Sequence, residues 1–381
     1  LKVKYDSSRV YNAKYFGVAS NRKRYLCGDF PEPIETIKFE KNVRTVNNIL
    51  SALSEPDNNT NIKIKDPNYD FTMNRNDITD HSYIVELAEF EWKKAKRAKQ
   101  DKGYMGKMSF PENLNKPSRT IMATMSCSSR ESMVYRYKEN RYRLPTIREI
   151  ASLMSYPINY RFYGKSKGIK YRLVGNSVPP KMAYALAEAI KKKNGIKTRR
   201  AYKPISFGEN GFYNLNFKKT KVKKEKPKKN NAKFKCHIPY LIINAYRVEL
   251  TNYHSDFDNL DFKWCVEIHK SQGKNAKIFT PTIDNSIFQN NIKNRIDTFI
   301  NKIKKQIEKP NDFQKIYCKT SKEIVSNKEV GPYELLDKTK IFIEKVLTKE
   351  ESENNMTIDM EPFKLPKAIL LGYVVLNEVI K

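Results

Sequence analysis

A run of lysines divides the chain into two segments that we predict to fold around separate hydrophobic cores. Residues 218–235 contain ten Lys and one Glu and offer almost no apolar surface to bury. A segment of this composition stays solvated. We interpret residues 201–236 as a Lys-rich linker, or alternatively as a basic arm that binds a polyanion.

The segment after the lysines has the pattern of a second globular unit. Strand-like segments at 246–253 and 262–270 precede a helical stretch in which isoleucines recur at helical spacing from Ile292 to Ile307. We interpret residues 237–381 as an accessory α+β domain whose role the sequence does not indicate.

The charge balance indicates a polyanionic partner. The chain has 73 Lys and Arg against 42 Asp and Glu, which gives a net charge of +31. Such an excess is typical of proteins that bind nucleic acid. Hydrophobic residues make up 39% of the chain, which is enough for packed cores and excludes wholesale disorder.

Targeting signals are weak throughout the sequence. The longest apolar run, residues 368–376, has about half the length that spans a bilayer, and the chain does not open on a signal peptide. Its five Cys lack the spacing of a disulfide framework. These features favour a soluble, cytoplasmic protein with no membrane contacts. The opening LKVKYDSS carries no helix or turn signal, and we interpret the chain as a fragment.

A basic helix is predicted over residues 83–102. Its later turns carry Lys93, Lys94 and Arg97. These cations either form an ordinary solvated surface or face the phosphates of a nucleic acid.

Two further helices have strong start signals. Thr146 and Glu149 form a capping box before an apolar run, and a second helix starts at Pro180. Between them we predict a short strand at 171–174 and a tight turn at Gly175. A strand, a polar turn and a helix start can present free backbone N–H groups to a polar ligand, although many ordinary connections share this pattern.

Three stretches resemble signature blocks of the DNA cytosine-C5 methyltransferases. NAKYFGVASNRKRYLCG resembles the eighth block, RLPTIREIASLMSYP the ninth, and GNSVPP the tenth, in the family's order. The blocks depart from the family at Ala19-Ser20, where Pro-Gln is usual, at Pro145 for Leu, and at Tyr156 for Phe. Between the eighth and ninth blocks the family places its target-recognition domain, and Thr120 begins a Thr-Ile pair resembling the one used there.

The resemblance implies an α/β fold, in which this chain is the C-terminal part of a Rossmann-like S-adenosylmethionine-dependent methyltransferase domain. A mixed target-recognition domain is inserted into that part. The additional α+β domain follows it. Residues 1–30 would end the catalytic domain, 31–142 would form the recognition domain, and 143–200 would return to the catalytic domain. The implied activity is methyl transfer from S-adenosyl-L-methionine to C5 of a flipped cytosine in double-stranded DNA, in a restriction-modification system.

The resemblance also implies roles for individual residues. Arg22 and Arg24 are the candidate catalytic residues, and target-cytosine binding falls to the second of them, Arg24. The cofactor-binding candidates are Asn176, Ser177 and Val178. DNA contacts are expected from Thr120, Lys93, Lys94 and Arg97, and structural roles from Arg143, Thr146, Arg148, Glu149 and Gly175.

The family's nucleophile is a Cys that follows Pro, and this sequence contains no Pro-Cys pair. The family's F-x-G-x-G cofactor loop is also missing ahead of the eighth block. We therefore expect a missing N-terminal catalytic half, either truncated from this chain or supplied by a complementing subunit, and a cognate restriction endonuclease is a further expected partner. The alternative is a non-catalytic DNA-binding specificity subunit or a degenerate methyltransferase remnant.

Two other residue sets suggest metal chemistry only weakly. Five residues, Cys236, His237, His254, Cys265 and His269, match no common zinc spacing, so we predict ordinary packing and no metal. The set Asp256, Asp258, Glu267 and Lys270 lacks the Glu-x-Lys spacing of a common nuclease core, which favours an accessory DNA-binding role over a nuclease.

Overall fold

The computed structural model describes residues 8–56, 62–82, 84–101, 106–197, 222–271, 276–307 and 310–381. The chain forms two compact units. Unit 1 comprises residues 1–99 and 108–223, and unit 2 comprises residues 100–107 and 224–381. Both units mix helices with strands, and every strand pair in the described ranges is antiparallel.

The elements of unit 1, in chain order, are β1 Ser8–Asn12, β2 Lys23–Cys27, α1 Val46–Leu53, β3 Lys63–Lys65, β4 Thr72–Asn74, β5 Val85–Glu86, α2 Glu89–Gln100, β6 Tyr135–Lys138, β7 Arg141–Leu144, α3 Ile147–Leu153, α4 Lys167–Asn176 and α5 Pro180–Lys193. The pair β1-β2 forms a hairpin, β3 pairs with β4, and a three-stranded sheet has the order β5-β7-β6. The last residue of α2, Gln100, already belongs to unit 2.

Unit 1 has two hydrophobic clusters. The smaller one joins the β1-β2 hairpin to α5 through Tyr11, Phe16 and Met182. The larger one combines α1, α3 and α4 with residues of strands, loops and α2 between 64 and 144, and Ile150 of α3 is fully buried in it. Residues 143–177 therefore share a core with the interval 31–142, so the predicted domain boundary at 142 does not separate two cores.

Residues 171–176 are helical, and the strand and turn predicted there are wrong. Ser166 caps the helix by accepting a hydrogen bond from the N–H of Ile169, and the chain then continues as α4 to Asn176. The buried positions Lys170, Tyr171, Val174 and Gly175 recur at three and four residues, which is the spacing of a helix stripe.

The basic helix α2 begins later than predicted. Residues 85 and 86 pair with β7 as strand β5, which removes the first turns of the predicted helix, and α2 starts at Glu89. The predicted helix end at 102 lies outside the described residues. The capping box at Thr146 and the start of α5 at Pro180 are confirmed.

The elements of unit 2, in chain order, are β8 Lys235–His237, β9 Tyr246–Thr251, β10 Cys265–Lys270, β11 Lys277–Phe279, α6 Asn290–Lys304, α7 Pro310–Cys318, α8 Ser321–Ser326, α9 Pro332–Val346, α10 Lys349–Glu353, β12 Asn355–Thr357, β13 Lys364–Pro366 and α11 Lys367–Ile380. A four-stranded antiparallel sheet has the order β11-β10-β9-β8. The apolar run at 368–376 is the buried part of α11. Among the described residues, no helix has the length and apolarity needed to cross a membrane.

The end of the predicted linker belongs to unit 2. Phe234 is 2% exposed and packs against the rings of Trp264 and Tyr317, with ring centroids 5.3 and 5.0 Å apart. The ammonium group of Lys228 donates a hydrogen bond to the Tyr317 carbonyl at 2.9 Å. The interpretation of 201–236 as a linker is therefore wrong for its last part, because an aromatic side chain among the lysines anchors it. Residues 198–221 lie outside the described residues.

Candidate functional site

Arg22 joins three segments that are far apart in the sequence. It precedes β2 and is 1% exposed. Its guanidinium donates hydrogen bonds to the carbonyl oxygens of Ile121 at 3.0 Å, Gly175 at 2.7 Å and Ser177 at 3.0 Å. A buried guanidinium committed to three carbonyls is not available to a substrate. The expectation of a catalytic role for Arg22 is therefore corrected: Arg22 positions the segments around it.

Gly175 allows the end of α4 to approach the chain at Met122. A Cβ atom on Gly175 would lie 2.5 Å from the backbone carbonyl of Met122 and from the nitrogen of Ala123. Contacts that short are not tolerated between backbone and side chain. The glycine is thus needed for this close packing, and not for the tight turn that we predicted.

Thr120 lies beside the same junction. Its hydroxyl donates a hydrogen bond to the carbonyl of Asn21 at 3.0 Å. The neighbouring Ser118 exchanges backbone hydrogen bonds with the same loop, through Ala19 and Asn21. Hydrogen bonds therefore join the segment of the Thr-Ile pair to the loop before β2.

Asn176, the last residue of α4, and the two residues after it differ in their exposure. Asn176 and Val178 are exposed, whereas Ser177 is half-buried and its hydroxyl donates to the Val174 carbonyl at 2.8 Å. A polar amide and an apolar side chain thus both face outward at the junction of two helices. A ligand with polar and apolar parts could contact both.

The described residues at the start of α5 do not form a shelf of several free N–H groups. Pro179 and Pro180 have no N–H, and the N–H of Lys181 donates to Ser155 Oγ at 3.1 Å. The N–H of Ser177 donates to the Val174 carbonyl at 3.3 Å. Ligand binding at this junction would therefore depend mainly on side chains.

Arg24 lies on β2, opposite Tyr11 of β1, and its side chain is partly exposed. Its Nη1 donates to the Lys23 carbonyl at 2.8 Å, which uses one of the five donors of a guanidinium. Partial burial lowers the pKa of Arg24 from its ordinary value, and the group stays charged at neutral pH.

A buried ion pair organises the ninth block. Arg143 and Glu149 are 3% and 1% exposed and form two parallel hydrogen bonds of 2.8 and 2.7 Å. Burial acts against both charges, but their mutual attraction raises the pKa of Arg143 and lowers that of Glu149. Glu149 also accepts the N–H of Thr146 at 2.7 Å, so the pair and the helix cap are one network.

Arg148 fixes the loops around α3. It is fully buried and donates to the carbonyl oxygens of Thr79 at 3.1 Å, Pro157 at 3.0 Å and Tyr160 at 2.5 Å. Burial lowers its pKa to about 10. The residues predicted as structural, Arg143, Thr146, Arg148, Glu149 and Gly175, thus all lie in buried contacts.

The predicted DNA-contacting side chains of α2 differ in exposure. Lys93 and Lys94 are exposed, and Lys93 pairs with Glu89 at 2.8 Å. Arg97 is half-buried. Lys99, one turn after Ala95, instead points inward and donates to the carbonyls of Arg130 and Ser132, and burial lowers its pKa to about 8.

His81 is a buried group that the sequence analysis missed. Its Nε2 donates to the Leu53 carbonyl at 3.0 Å, and its Nδ1 accepts from the Thr146 hydroxyl at 3.3 Å. Burial lowers the pKa of His81 from 6.5 to about 4. A single His before a strand carries no local signal of such burial.

The buried imidazole of His81 predicts a loss of stability in acid. Between pH 6.5 and about 4 the unfolded chain binds a proton that the folded chain does not, so the free energy of unfolding falls as the pH falls through this window. The expected contribution is roughly 3 kcal/mol. Urea unfolding of wild type and His81→Gln at pH 7, 6, 5 and 4 measures it as the difference between the two pH profiles. Parallel profiles would contradict the prediction.

The chain belongs to the C-5 cytosine-specific DNA methylase family, whose model matches residues 2–192. Among curated relatives, it is 29% identical over 199 residues to the type II methyltransferase M.NgoPII of Neisseria gonorrhoeae, which covers 48% of this chain and 53% of that protein. It is 46% identical over 61 residues to the type II methyltransferase M1.HphI of Haemophilus parahaemolyticus, covering 16% of each chain.

A plant relative matches a stretch of intermediate length. The DNA (cytosine-5)-methyltransferase 1A of Oryza sativa subsp. japonica is 33% identical over 97 residues, covering 26% of this chain and 6% of that protein. The chain spans about half the length of the Neisseria relative and smaller shares of the other two. The family match ends at residue 192, ahead of the long segment of unit 2, residues 224–381.

Proposed function

We propose that this chain is the C-terminal, DNA-reading and base-holding portion of a DNA cytosine-C5 methyltransferase of a restriction-modification system. Its family membership supports the reaction class. The observation that carries the proposal is the Arg22 junction, where one buried guanidinium holds the hairpin, the Thr-Ile segment and the end of α4 together. The hairpin carries the proposed cytosine contact, the Thr-Ile segment a proposed DNA contact, and the end of α4 the proposed cofactor contacts. Their common attachment to Arg22 fixes the positions of these three segments relative to one another.

Arg24 is the proposed contact to the target cytosine. The β1-β2 hairpin holds it two residues after the buried Arg22, so its backbone position is fixed while its side chain is partly exposed. A cytosine must leave the stack before its C5 is accessible, and a fixed guanidinium can donate hydrogen bonds to the carbonyl of the flipped base. Arg24 would hold the base and stabilise negative charge on it.

Asn176, Ser177 and Val178 are the proposed cofactor contacts. The outward-facing amide and isopropyl groups fit a cofactor with both polar and apolar parts, such as S-adenosyl-L-methionine. When bound, that cofactor supplies an electrophilic methyl group. The residues of this chain would bind and orient it. The hydrogen bond from the Ser177 hydroxyl to the Val174 carbonyl would hold the connection between α4 and α5 in place.

In this proposal residues 1–30 and 179–193 are the last pieces of a Rossmann-like catalytic domain, and the smaller core of unit 1 joins Tyr11 and Phe16 of the first piece to Met182 of the second. The interval 31–142, with 143–177 packed on it, reads double-stranded DNA. Unit 2 is an accessory α+β domain. The nucleophilic Cys comes from a missing N-terminal half or from a complementing subunit, in the cytoplasm, where a cognate restriction endonuclease is the system partner.

Lys94 tests the DNA-facing role of α2. Its side chain is exposed, so replacing it with Ala removes a charge without a change in packing. If Lys94 contacts a phosphate, Lys94→Ala weakens binding equally on all duplex sequences, and the slope of log affinity against log salt falls by about 1. Fluorescence anisotropy over a salt series measures this slope. The exposed Lys349 of α10 gives the control, Lys349→Ala, for which we expect no change; equal slopes for all three proteins would contradict the role of α2.

The residue roles are tested by methyl transfer with the missing half supplied in trans. We expect Arg24→Ala to lower transfer from labelled S-adenosylmethionine to cytosine-containing DNA by about 100-fold, because one charge-stabilising donor is lost. Asn176→Ala should raise the cofactor concentration needed for half-maximal rate. Arg9→Ala, an exposed arginine on the same hairpin, is the control and should stay active. Full activity of both Arg24→Ala and Asn176→Ala would reject these roles.

The alternative function is a non-catalytic DNA-binding subunit or a degenerate remnant. The coding DNA upstream of Leu1 distinguishes the two. A Pro-Cys pair and an F-x-G-x-G loop there favour the enzyme. A start codon directly before Leu1, with no complementing gene nearby, favours the subunit or remnant.

A further inference from the structure

Unit 2 brings three metal-ligating side chains together on one face of its sheet. Glu249 lies on β9, directly opposite Glu267 of β10, and His269 is two residues further along β10. Residues two apart on a strand share a face, so all three point the same way. One ligand atom from each lies within 4.8 Å of the other two, and all three side chains are buried.

One oxygen of this cluster lacks a hydrogen bond. Glu249 is 6% exposed, and its Oε1 accepts from Nε of Arg247 at 2.5 Å. Its Oε2 accepts no hydrogen bond from any residue that the structure describes, although Lys235 Nζ and His269 Nε2 each lie 3.4 Å away. A buried carboxylate oxygen without a donor, directly opposite a second carboxylate, is costly unless a cation compensates it.

The ammonium of Lys235 lies between the two carboxylates. Its Nζ is 3.4 Å from Glu249 Oε2 and 3.4 Å from Glu267 Oε2, which is long for a charge-assisted hydrogen bond. The Lys235 side chain is 32% exposed, so this cationic position is open to solvent. The Lys235 ammonium therefore lies near both carboxylates without a short hydrogen bond to either of them.

The remaining contacts of the cluster hold Glu267 in place. The exposed His254 lies 2.8 Å from Glu267 Oε1, and His269 lies 2.7 Å from Glu267 Oε2. The His254 contact is typical of groups that orient a carboxylate ligand.

We propose that Glu249, Glu267 and His269 form a divalent metal site in unit 2, in which the bound ion takes the place of the Lys235 ammonium. Two carboxylates and one imidazole suit Mn²⁺ or Zn²⁺ better than the all-oxygen ions Mg²⁺ and Ca²⁺. Three protein ligands leave a coordination position for water. The prediction of no metal considered His269 without Glu249, which only the strand register brings to it.

The test is Mn²⁺ binding to the full chain, measured by the electron paramagnetic resonance of the free ion and by calorimetry, with Zn²⁺ as competitor. We expect one site in the wild type, and at least tenfold weaker binding in Glu249→Gln and in Glu267→Gln. Asp258→Asn is the control because Asp258 is an exposed carboxylate of the same unit, and its binding should equal that of the wild type.

Lys235→Met keeps all three ligands and removes the competing cation, so it should bind Mn²⁺ at least tenfold more tightly than the wild type. This increase separates a metal site from a purely structural cluster, even if the glutamate variants fail to fold. Binding that persists unchanged in Glu249→Gln and Glu267→Gln would overturn the proposal. So would the absence of Mn²⁺ and Zn²⁺ binding in both the wild type and Lys235→Met.

Discussion

Replacing Glu149 with Gln is expected to lower the free energy of unfolding of unit 1 by about 3–5 kcal/mol, because it leaves the buried Arg143 guanidinium without its counter-charge. The substitution also removes a carboxylate oxygen that accepts the N–H of Thr146 in the capping box. The Thr146 hydroxyl also donates a hydrogen bond to His81. We therefore expect the substitution to destabilise the loop that contains His81 as well.

The measurement is urea unfolding followed by tryptophan fluorescence. The chain has two Trp, with Trp92 in unit 1 and Trp264 in unit 2, so a Trp264→Phe background reports on unit 1 alone. Glu89→Gln breaks the exposed pair with Lys93 and is the matched control, with an expected change of about 0.5 kcal/mol or less. A loss below about 1 kcal/mol in Glu149→Gln would contradict the importance of the buried pair.

Replacing Arg22 with Met is expected to cost about 3 kcal/mol or more, because the carbonyls of Ile121, Gly175 and Ser177 all lose a charged donor. Arg22→Lys should recover only part of this, since one ammonium cannot reproduce the fork that reaches three carbonyls. In the methyl-transfer assay with the missing half, both variants should lose activity even where they remain folded, because Arg24 and Asn176 lose their shared support.

Arg9→Met on the same hairpin is the control for Arg22. Arg9 is 64% exposed, and its substitution should change the free energy of unfolding by about 0.5 kcal/mol or less. The same fluorescence assay applies. If Arg22→Met unfolds at the urea concentration of the wild type, or if folded Arg22→Lys transfers methyl at the wild-type rate, the Arg22 junction does not have the role given to it here.

Local signals in the sequence predict helix starts well in this chain. Thr146 with Glu149, and Pro180 after Pro179, act within one turn of the chain, and α3 and α5 begin where these residues indicate. The strand prediction at 171–174 is wrong because contacts with distant residues, and not local signals, determine the structure of this segment. Tyr171 donates to the distant Pro145 carbonyl, and Gly175 packs on Met122, and such contacts leave no local pattern.

The three signature blocks identify the segments that form the candidate site. They do not show which side chains of those segments are exposed and which are buried. Arg22 and Arg24 are two residues apart with the same chemistry, yet one is buried against carbonyls from residues 121, 175 and 177 and the other is partly exposed. Only the tertiary fold distinguishes them. The Glu249–Glu267–His269 cluster was missed for a related reason, because it depends on the register of β9 against β10.

The central claim is that this chain reads DNA and holds the cytosine while another polypeptide segment supplies the nucleophile. The most direct test is methyl transfer from labelled S-adenosylmethionine to duplex DNA by this chain alone, by a polypeptide with the Pro-Cys pair and the F-x-G-x-G loop alone, and by both together. We predict transfer only when both are present. Transfer by this chain alone, or no transfer by a folded, DNA-binding mixture, would contradict the claim.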